Sequence, residues 1–155
     1  MPPSVVSSVQ ISANNDILGI PALNISTPIV YSSATNESGI QQDLESGVVH
    51  LAGTANPGDV GNAYIVGHSS NFKDAPGSFN EVFKNLPNIR VGDEITIRQG
   101  TRQLRFVVTK TQVVEPTELW VMSQATDGAK ILTLQTSYPV GTAKQRFVAI
   151  AKLEE

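Results

Sequence analysis

The sequence has 155 residues, of which 40% are hydrophobic and 16% are charged, and its formal net charge is −3. This size and composition predict a globular chain that can bury its own core, and they exclude an intrinsically disordered one. The acidic balance gives no electrostatic reason to expect a nucleic acid partner, and the absence of cysteine excludes disulfides, thiolate metal sites and a thiol nucleophile.

The N-terminal residues differ in composition from the rest of the chain. Ser, Val and Pro dominate them, so we expect a flexible leader at residues 1–15 and a single folded domain at residues 16–155. The leader has neither the basic start nor the apolar stretch of a signal peptide. No apolar run in the sequence reaches the length that a membrane-crossing helix needs.

Short runs rich in β-branched residues follow the leader, and turn residues separate them. The predicted strands are residues 17–20, 29–31, 48–51, 63–66, 94–98, 103–110, 130–136 and 146–153. The strands at residues 94–98 and 103–110 should form a hairpin, since Gln99 and Gly100 supply a turn between them. Eight or so short strands with few helices predict a mainly β fold, a closed or nearly closed β-barrel.

Three segments carry helical signals. Ser78 precedes Glu81 by three residues, as in a capping box, and apolar residues at helical spacing follow until Pro87. This pattern predicts one short helix from Ser78. Residues 39–47 could hold a helical turn, and residues 116–124 could form a second short helix that carries Trp120.

His68 is the first candidate for chemistry, because the sequence contains only two histidines. It follows a predicted strand and precedes a polar loop, a position that suits a catalytic acid or base. His50 lies inside a predicted strand, and we interpret it as structural. A lone histidine is more often structural than catalytic, so His68 needs support from other residues.

Ser137 and Arg146 are the next candidates. Because side chains alternate along a strand, Ser137 shares a face with Thr133 and Gln135 at the end of its strand. Arg146 begins the following strand, and a guanidinium at the start of an otherwise apolar face needs a partner or an opening. If the two strands pair, Ser137 and Arg146 meet at the same end of the sheet.

Other catalytic motifs are absent or incomplete. Residues 70–73 match S-x-x-K, but the S-D-N and K-T-G elements that accompany it in penicillin-recognising enzymes are missing. The sequence has no P-loop and no H-E-x-x-H. Its acidic residues are spread out, so we expect no cofactor and no designed metal site.

Three stretches, taken together and in this order, resemble the sortase family. Residues 47–68, GVVHLAGTANPGDVGNAYIVGH, are similar to the sortase segment that ends in a Gly-His pair. Residues 133–137, TLQTS, look like the sortase signature T-L-x-T-C with its last residue changed, and residues 146–148, RFV, follow at the usual distance. Residues 18–29 also resemble the first strands of the family, so the likeness spans about residues 16–153.

The resemblance implies an eight-stranded sortase-type β-barrel and a cysteine transpeptidase mechanism. By position, His68 would be the general acid/base, Ser137 would occupy the nucleophile position, and Arg146 would hold the substrate or stabilise the oxyanion. Thr136 would help to form the oxyanion site. The implied partners are a Leu-Pro-x-Thr-Gly-like sorting-signal peptide and an amine of the cell envelope or of a pilin.

The resemblance also implies a location. Sortases are bacterial enzymes anchored in the cell membrane that face outward. We therefore expect this chain to be an excised soluble domain that would meet the membrane only through a segment outside this sequence.

Ser137 has a direct chemical consequence. A thiol provides thiolate near neutral pH, whereas a serine hydroxyl needs a well-aligned base. We expect an inactive or strongly impaired sortase in which serine replaces the cysteine. Two alternatives stay open: a natural serine-based hydrolase or transpeptidase on the same barrel, and a non-catalytic peptide-binding module.

Overall fold

Residues 16–70 and 79–154 are described by a computed structural model, and their eight strands close into a barrel. The strands are β1 (Asp16–Ile20), β2 (Ile25–Tyr31), β3 (Val48–His50), β4 (Gly61–Val66), β5 (Glu94–Gln99), β6 (Arg102–Val114), β7 (Lys130–Tyr138) and β8 (Gln145–Leu153). Their order around the barrel is β1-β2-β3-β4-β7-β8-β6-β5, and β5 pairs with β1. The prediction of a mainly β, eight-stranded barrel is confirmed. The predicted leader at residues 1–15 lies outside the described residues and stays a prediction.

Two of the strand pairs are parallel, β2 with β3 and β4 with β7, and the others are antiparallel. The predicted hairpin is confirmed as β5–β6, with Gln99 opposite Arg102. The last two strands pair antiparallel from Ile131 opposite Lys152 to Tyr138 opposite Gln145. Parallel pairing needs a long crossover between the strands, and residues between β4 and β7 supply it through β5 and β6.

The helix between β2 and β3 is α1 (Glu37–Asp43), and the 3-10 turn Leu44–Ser46 continues it. Asn36 caps it: the Asn36 side-chain oxygen accepts a hydrogen bond from the Gly39 backbone N–H at 2.8 Å. The expected helical turn is therefore present. It begins slightly before the predicted 39–47 range because the cap lies at Asn36.

The predicted helix from Ser78 is wrong over its described part. Ser78 itself lies outside the described residues, and the chain then forms turns followed by the 3-10 helix Leu86–Asn88. Phe83 and Leu86 are fully buried in the barrel core. Burying these side chains outweighs the weak local preference for a helix. The predicted helix at residues 116–124 is similarly reduced to the 3-10 helix Leu119–Met122.

The barrel wall separates two apolar clusters. The larger cluster fills the interior, and its fully buried members include Leu18, Ile65, Phe106, Leu132 and Leu134. A smaller cluster lies on the other face of the wall and contains Tyr64, Val114, Val121 and Val148. The segment that connects β6 with β7 covers it, since Val121 belongs to this segment.

No helix in the described part of the chain is both long and apolar enough to cross a membrane.

Candidate active site

Ser137 and Arg146 lie side by side on two neighbouring strands, and His68 lies just past the end of a third, β4. Ser137 on β7 is the direct cross-strand partner of Arg146 on β8. On its other side, β7 runs parallel to β4, with Val66 beside Gln135. The Gly67 N–H donates to the Gln135 carbonyl at 3.1 Å, which extends this ladder past the end of β4. Continued by one more position, the same register brings His68 beside Ser137.

These residues stand on the outward face of the barrel, at the ends of the strands. Leu132, Leu134 and Thr136 point into the core, so the alternation of side chains turns Gln135 and Ser137 outward. A cavity of about 300 Å³ opens there. Ser137 and Arg146 line it on the strand side, and Glu37 and Ile40 line it from α1.

His68 is half-buried and held by its backbone. The His68 carbonyl accepts a hydrogen bond from the Phe83 N–H at 2.8 Å. Gly67, just before it, has no space for a side chain, because an added Cβ would lie 2.6 Å from the Phe83 ring. The glycine of the Gly-His pair therefore lets the Phe83 ring pack directly against the backbone that carries the imidazole.

Two opposing effects act on the pKa of His68. Burial lowers the pKa of the imidazole below its usual value of 6.5, because desolvation disfavours the cation. The negative charge of Glu37 opposes this shift and raises the pKa. Glu37 is itself oriented by the Gln41 side chain, whose Nε2 donates to a Glu37 carboxylate oxygen at 2.6 Å. His68 thus interacts electrostatically with Glu37, which lines the cavity.

Thr136 is buried, and its hydroxyl has a partner. Its Oγ1 donates to the Gly67 carbonyl at 2.8 Å. This bond connects the residue before Ser137 with the residue before His68. The contact fixes the spacing of β7 and the end of β4 at the point where the two candidate catalytic residues emerge.

Arg146 lies at the junction of two cavities. A second cavity of about 160 Å³ lies along the segment between β6 and β7, and it shares Leu51, Gln135 and Arg146 with the first. Among the described residues, Arg146 forms no ion pair with a carboxylate. Its guanidinium can therefore serve a ligand that enters either cavity.

A tyrosine–glutamine pair lies where the two cavities meet: Gln135 lines both cavities, and Tyr64 lines the second. The buried Tyr64 hydroxyl donates a short hydrogen bond to the Gln135 side-chain oxygen. Burial raises the pKa of Tyr64 well above its usual range, and the positive charge of Arg146 partly offsets this rise. The phenol therefore stays protonated and donates its hydrogen bond to Gln135.

Sequence reasoning did not identify Glu37, Tyr64 or Gln135 as parts of this site. Tyr64 and Gln135 lie within the two stretches that carry the family resemblance, residues 47–68 and 133–137, but the resemblance assigns neither of them a role. Glu37 lies in neither stretch and reaches the site from α1. His50, interpreted as structural, is buried, and its Nε2 lies 2.7 Å from the Ala55 carbonyl oxygen. Within residues 16–70 and 79–154, no cluster of three or more His, Asp or Glu side chains could hold a metal ion.

A sequence profile described as the sortase domain matches residues 18–154, nearly all of the described chain. This chain belongs to the sortase family. The family predicted from the His68, Ser137 and Arg146 motifs is confirmed, and with it the assignment to a family of transpeptidases. A search of curated proteins found no match.

Solved sortase structures share the fold. A Clostridium perfringens Sortase D5 transpeptidase is 30% identical, with a TM-score of 0.74 over 92% of this chain and 79% of that one. A lid mutant of sortase A from Corynebacterium diphtheriae is 25% identical, with a TM-score of 0.75 over 92% of this chain and 70% of that one. Sortase C1 of Streptococcus agalactiae, in complex with MTSET, is 26% identical, with a TM-score of 0.75 over 90% and 67%.

Proposed function

We propose that this sortase domain is built to cleave a Leu-Pro-x-Thr-Gly-like sorting signal and to join the new end to an amine of the cell envelope or of a pilin. We further propose that Ser137 makes it inactive or strongly impaired. The observation that carries the proposal is the direct pairing of Ser137 with Arg146 on β7 and β8, with His68 just past the end of β4, the strand on the other side of β7. Sortases act at the bacterial cell envelope, and we place this domain on the extracellular face of the membrane.

The proposed chemistry assigns one step to each residue. With a cysteine at position 137, the thiolate attacks the carbonyl carbon of the threonine in the signal peptide. Arg146 stabilises the negative oxygen that develops there. His68 gives a proton to the departing glycine amine as the C–N bond breaks, leaving a thioacyl enzyme. The acceptor amine then attacks the same carbon, His68 takes its proton, and the thiolate is released.

Serine impairs the first of these steps. Its hydroxyl loses a proton far less readily than a thiol and must pass that proton to a base during the attack. The lowered pKa of His68 keeps the imidazole neutral, so it can accept a proton. A neutral imidazole alone does not replace the thiolate–imidazolium pair that a cysteine forms. Binding of the peptide is expected to survive because Arg146 and the groove are unchanged.

Ser137→Cys is the direct test, assayed by cleavage of a fluorogenic Leu-Pro-x-Thr-Gly peptide with and without an added amine. We expect cleavage by the cysteine variant and little by the serine protein. Ser137→Cys/His68→Ala is the matched control, and loss of a general acid/base should lower its rate about 10²- to 10⁴-fold. Equal rates for the serine and cysteine forms would instead support a natural serine enzyme. Undiminished peptide affinity after His68→Ala and Arg146→Ala would support a binding module.

A further inference from the structure

The first residues of β4 have a backbone edge that β3 does not cover. The Gly61 N–H donates to the Ala129 carbonyl and the Gly67 N–H donates to the Gln135 carbonyl, so the N–H groups of odd-numbered residues along β4 face β7. Even-numbered residues therefore point to the opposite side, toward β3. There β3 ends at His50, and the last bond of that ladder runs from the Leu51 N–H to the Tyr64 carbonyl at 3.0 Å. Asn62 lies beyond this point and needs other partners for its N–H and its carbonyl.

The side chain of Gln124 supplies both partners. Its Oε1 accepts from the Asn62 N–H at 2.9 Å, and its Nε2 donates to the Asn62 carbonyl at 2.8 Å. One carboxamide thus pairs with Asn62 as a neighbouring strand residue would. The same two atoms also bond the Ala55 N–H at 3.1 Å and the Met122 carbonyl at 3.1 Å.

Asn62 reinforces this contact with its own side chain. Its Nδ2 donates to the Val121 carbonyl at 2.8 Å, and its Oδ1 accepts from the Thr133 hydroxyl at 2.8 Å. The segment from Leu119 to Gln124 is therefore fastened to β4 by two side chains that point in opposite directions. Val121 packs in the outer apolar cluster at the same place.

The fastened segment forms one side of the second cavity. Leu119, Val121 and Met122 line it, opposite Gln135 and Arg146. We propose that Gln124 is a positioning residue. Its carboxamide holds the segment Leu119–Gln124, which forms the wall of the second cavity, at a set distance from Arg146, so that a bound peptide meets a preformed binding groove. Preorganisation of this kind improves affinity because the wall does not have to be ordered during binding. The inference rests on the proposed peptide substrate, but the effect of Gln124 on the order of the segment Leu119–Gln124 can be measured without any peptide.

Trp120 provides the measurement. It is the only tryptophan in the sequence, it lies in the fastened segment, and it is 47% exposed. In Gln124→Ala we expect acrylamide to quench Trp120 about twofold more strongly, because local order in the segment is lost. In the Ser137→Cys background, the same change should raise KM for the signal peptide about tenfold and leave kcat unchanged, the pattern of lost uniform binding.

Gln124→Glu and Gln103→Ala complete the design. The glutamate keeps the oxygen that accepts from Ala55 and Asn62 but loses both donors, so it should loosen the segment as well. Gln103 is exposed on β6 and lines neither cavity, and its loss should leave quenching and KM unchanged.

Three results would overturn the proposal: unchanged quenching in both Gln124 variants, unchanged KM despite stronger quenching, or collapse of the whole barrel in both variants as seen by circular dichroism. If the Ser137→Cys parent does not cleave the peptide at all, the proposed function fails, while the quenching experiment still tests the hold of Gln124 on the wall.

Discussion

Ser137 and Arg146 are direct partners across the antiparallel pair β7–β8, and both line the larger cavity. The pairing matters because directly opposite side chains on one face of a sheet lie close enough to act on the same substrate atom. A guanidinium beside the nucleophile position is suited to a developing oxyanion, which it can contact with two N–H groups.

In the Ser137→Cys background, we expect Arg146→Ala to lower kcat/KM about 100- to 1,000-fold, the cost of removing one oxyanion donor. Arg146→Lys keeps the charge but not the planar fork, so it should recover only part of the rate. Steady-state peptide cleavage measures both. Arg98→Ala, at an exposed position on β5, is the control and should match the parent. A comparable loss of kcat/KM in Arg98→Ala would contradict a local role of Arg146 in the reaction.

His68 should titrate below its usual pKa of 6.5, because burial disfavours the imidazolium. Glu37→Gln should lower the pKa of His68 further, since the carboxylate charge that favours the cation is removed. NMR titration of the His68 ring protons in the parent protein and in Glu37→Gln measures both shifts. A rise in the pKa of His68 in Glu37→Gln would contradict the proposed coupling.

The lowered pKa of His68 also makes the free energy of unfolding depend on pH. The unfolded chain binds a proton at His68 more readily than the folded one, so this contribution to stability is fully present above pH 6.5. It should decrease as the pH falls below 6.5 toward the folded pKa of His68. Urea unfolding at several pH values should show a smaller decrease in His68→Gln. An equal decrease in both proteins would assign the effect to other groups.

Gly67→Ala should destabilise the barrel, because its Cβ would lie 2.6 Å from the Phe83 ring. Overpacking of this kind costs about 1 to 3 kcal/mol, which urea unfolding can measure. Phe83→Leu removes the ring that creates the clash. The double variant should therefore be more stable than the sum of the two single changes predicts. Simple additivity would show that the glycine is not required for packing against Phe83.

Thr136→Val should reduce stability by about 1 to 3 kcal/mol, because the buried Gly67 carbonyl loses its donor while the side-chain volume is kept. Thr136→Ser retains the hydroxyl and should be affected much less. Thermal unfolding measures the loss of stability, and both changes can be made in the parent protein with Ser137, so that no catalytic activity is needed. If Thr136→Val unfolds like the parent, the hydrogen bond to Gly67 does not position the two strands.

The sequence predicts the strands well because their period-2 patterns are local. The hairpin β5–β6 and the pairing of Ser137 with Arg146 follow from short connections in the chain. The parallel pair β4–β7 has no such signal, since its strands are far apart in sequence and the register is set by packing. For the same reason, the patterns around Glu37 and Gln124 give no indication of their roles.

The one clear error concerns the segment from Ser78 to Leu86. Its capping box and apolar spacing are real local signals for a helix. Phe83 and Leu86 are nevertheless buried in the core. The Phe83 N–H donates to the His68 carbonyl instead of to a carbonyl of the preceding helical turn. Here a long-range contact at the candidate site overrides a local preference, a competition that sequence alone cannot resolve.

The parallel pair β4–β7 also affects when the chain can become active. Ser137 and Arg146 meet through a local pairing of consecutive strands, whereas His68 joins them only through contacts such as the Thr136–Gly67 bond, which spans 69 positions of the chain. Contacts of such high sequence separation form late because of their loop-closure entropy. A folding intermediate that contained only the β7–β8 hairpin would therefore lack His68, the proposed acid/base, and we expect a cysteine at position 137 to gain catalytic power only once the barrel had closed.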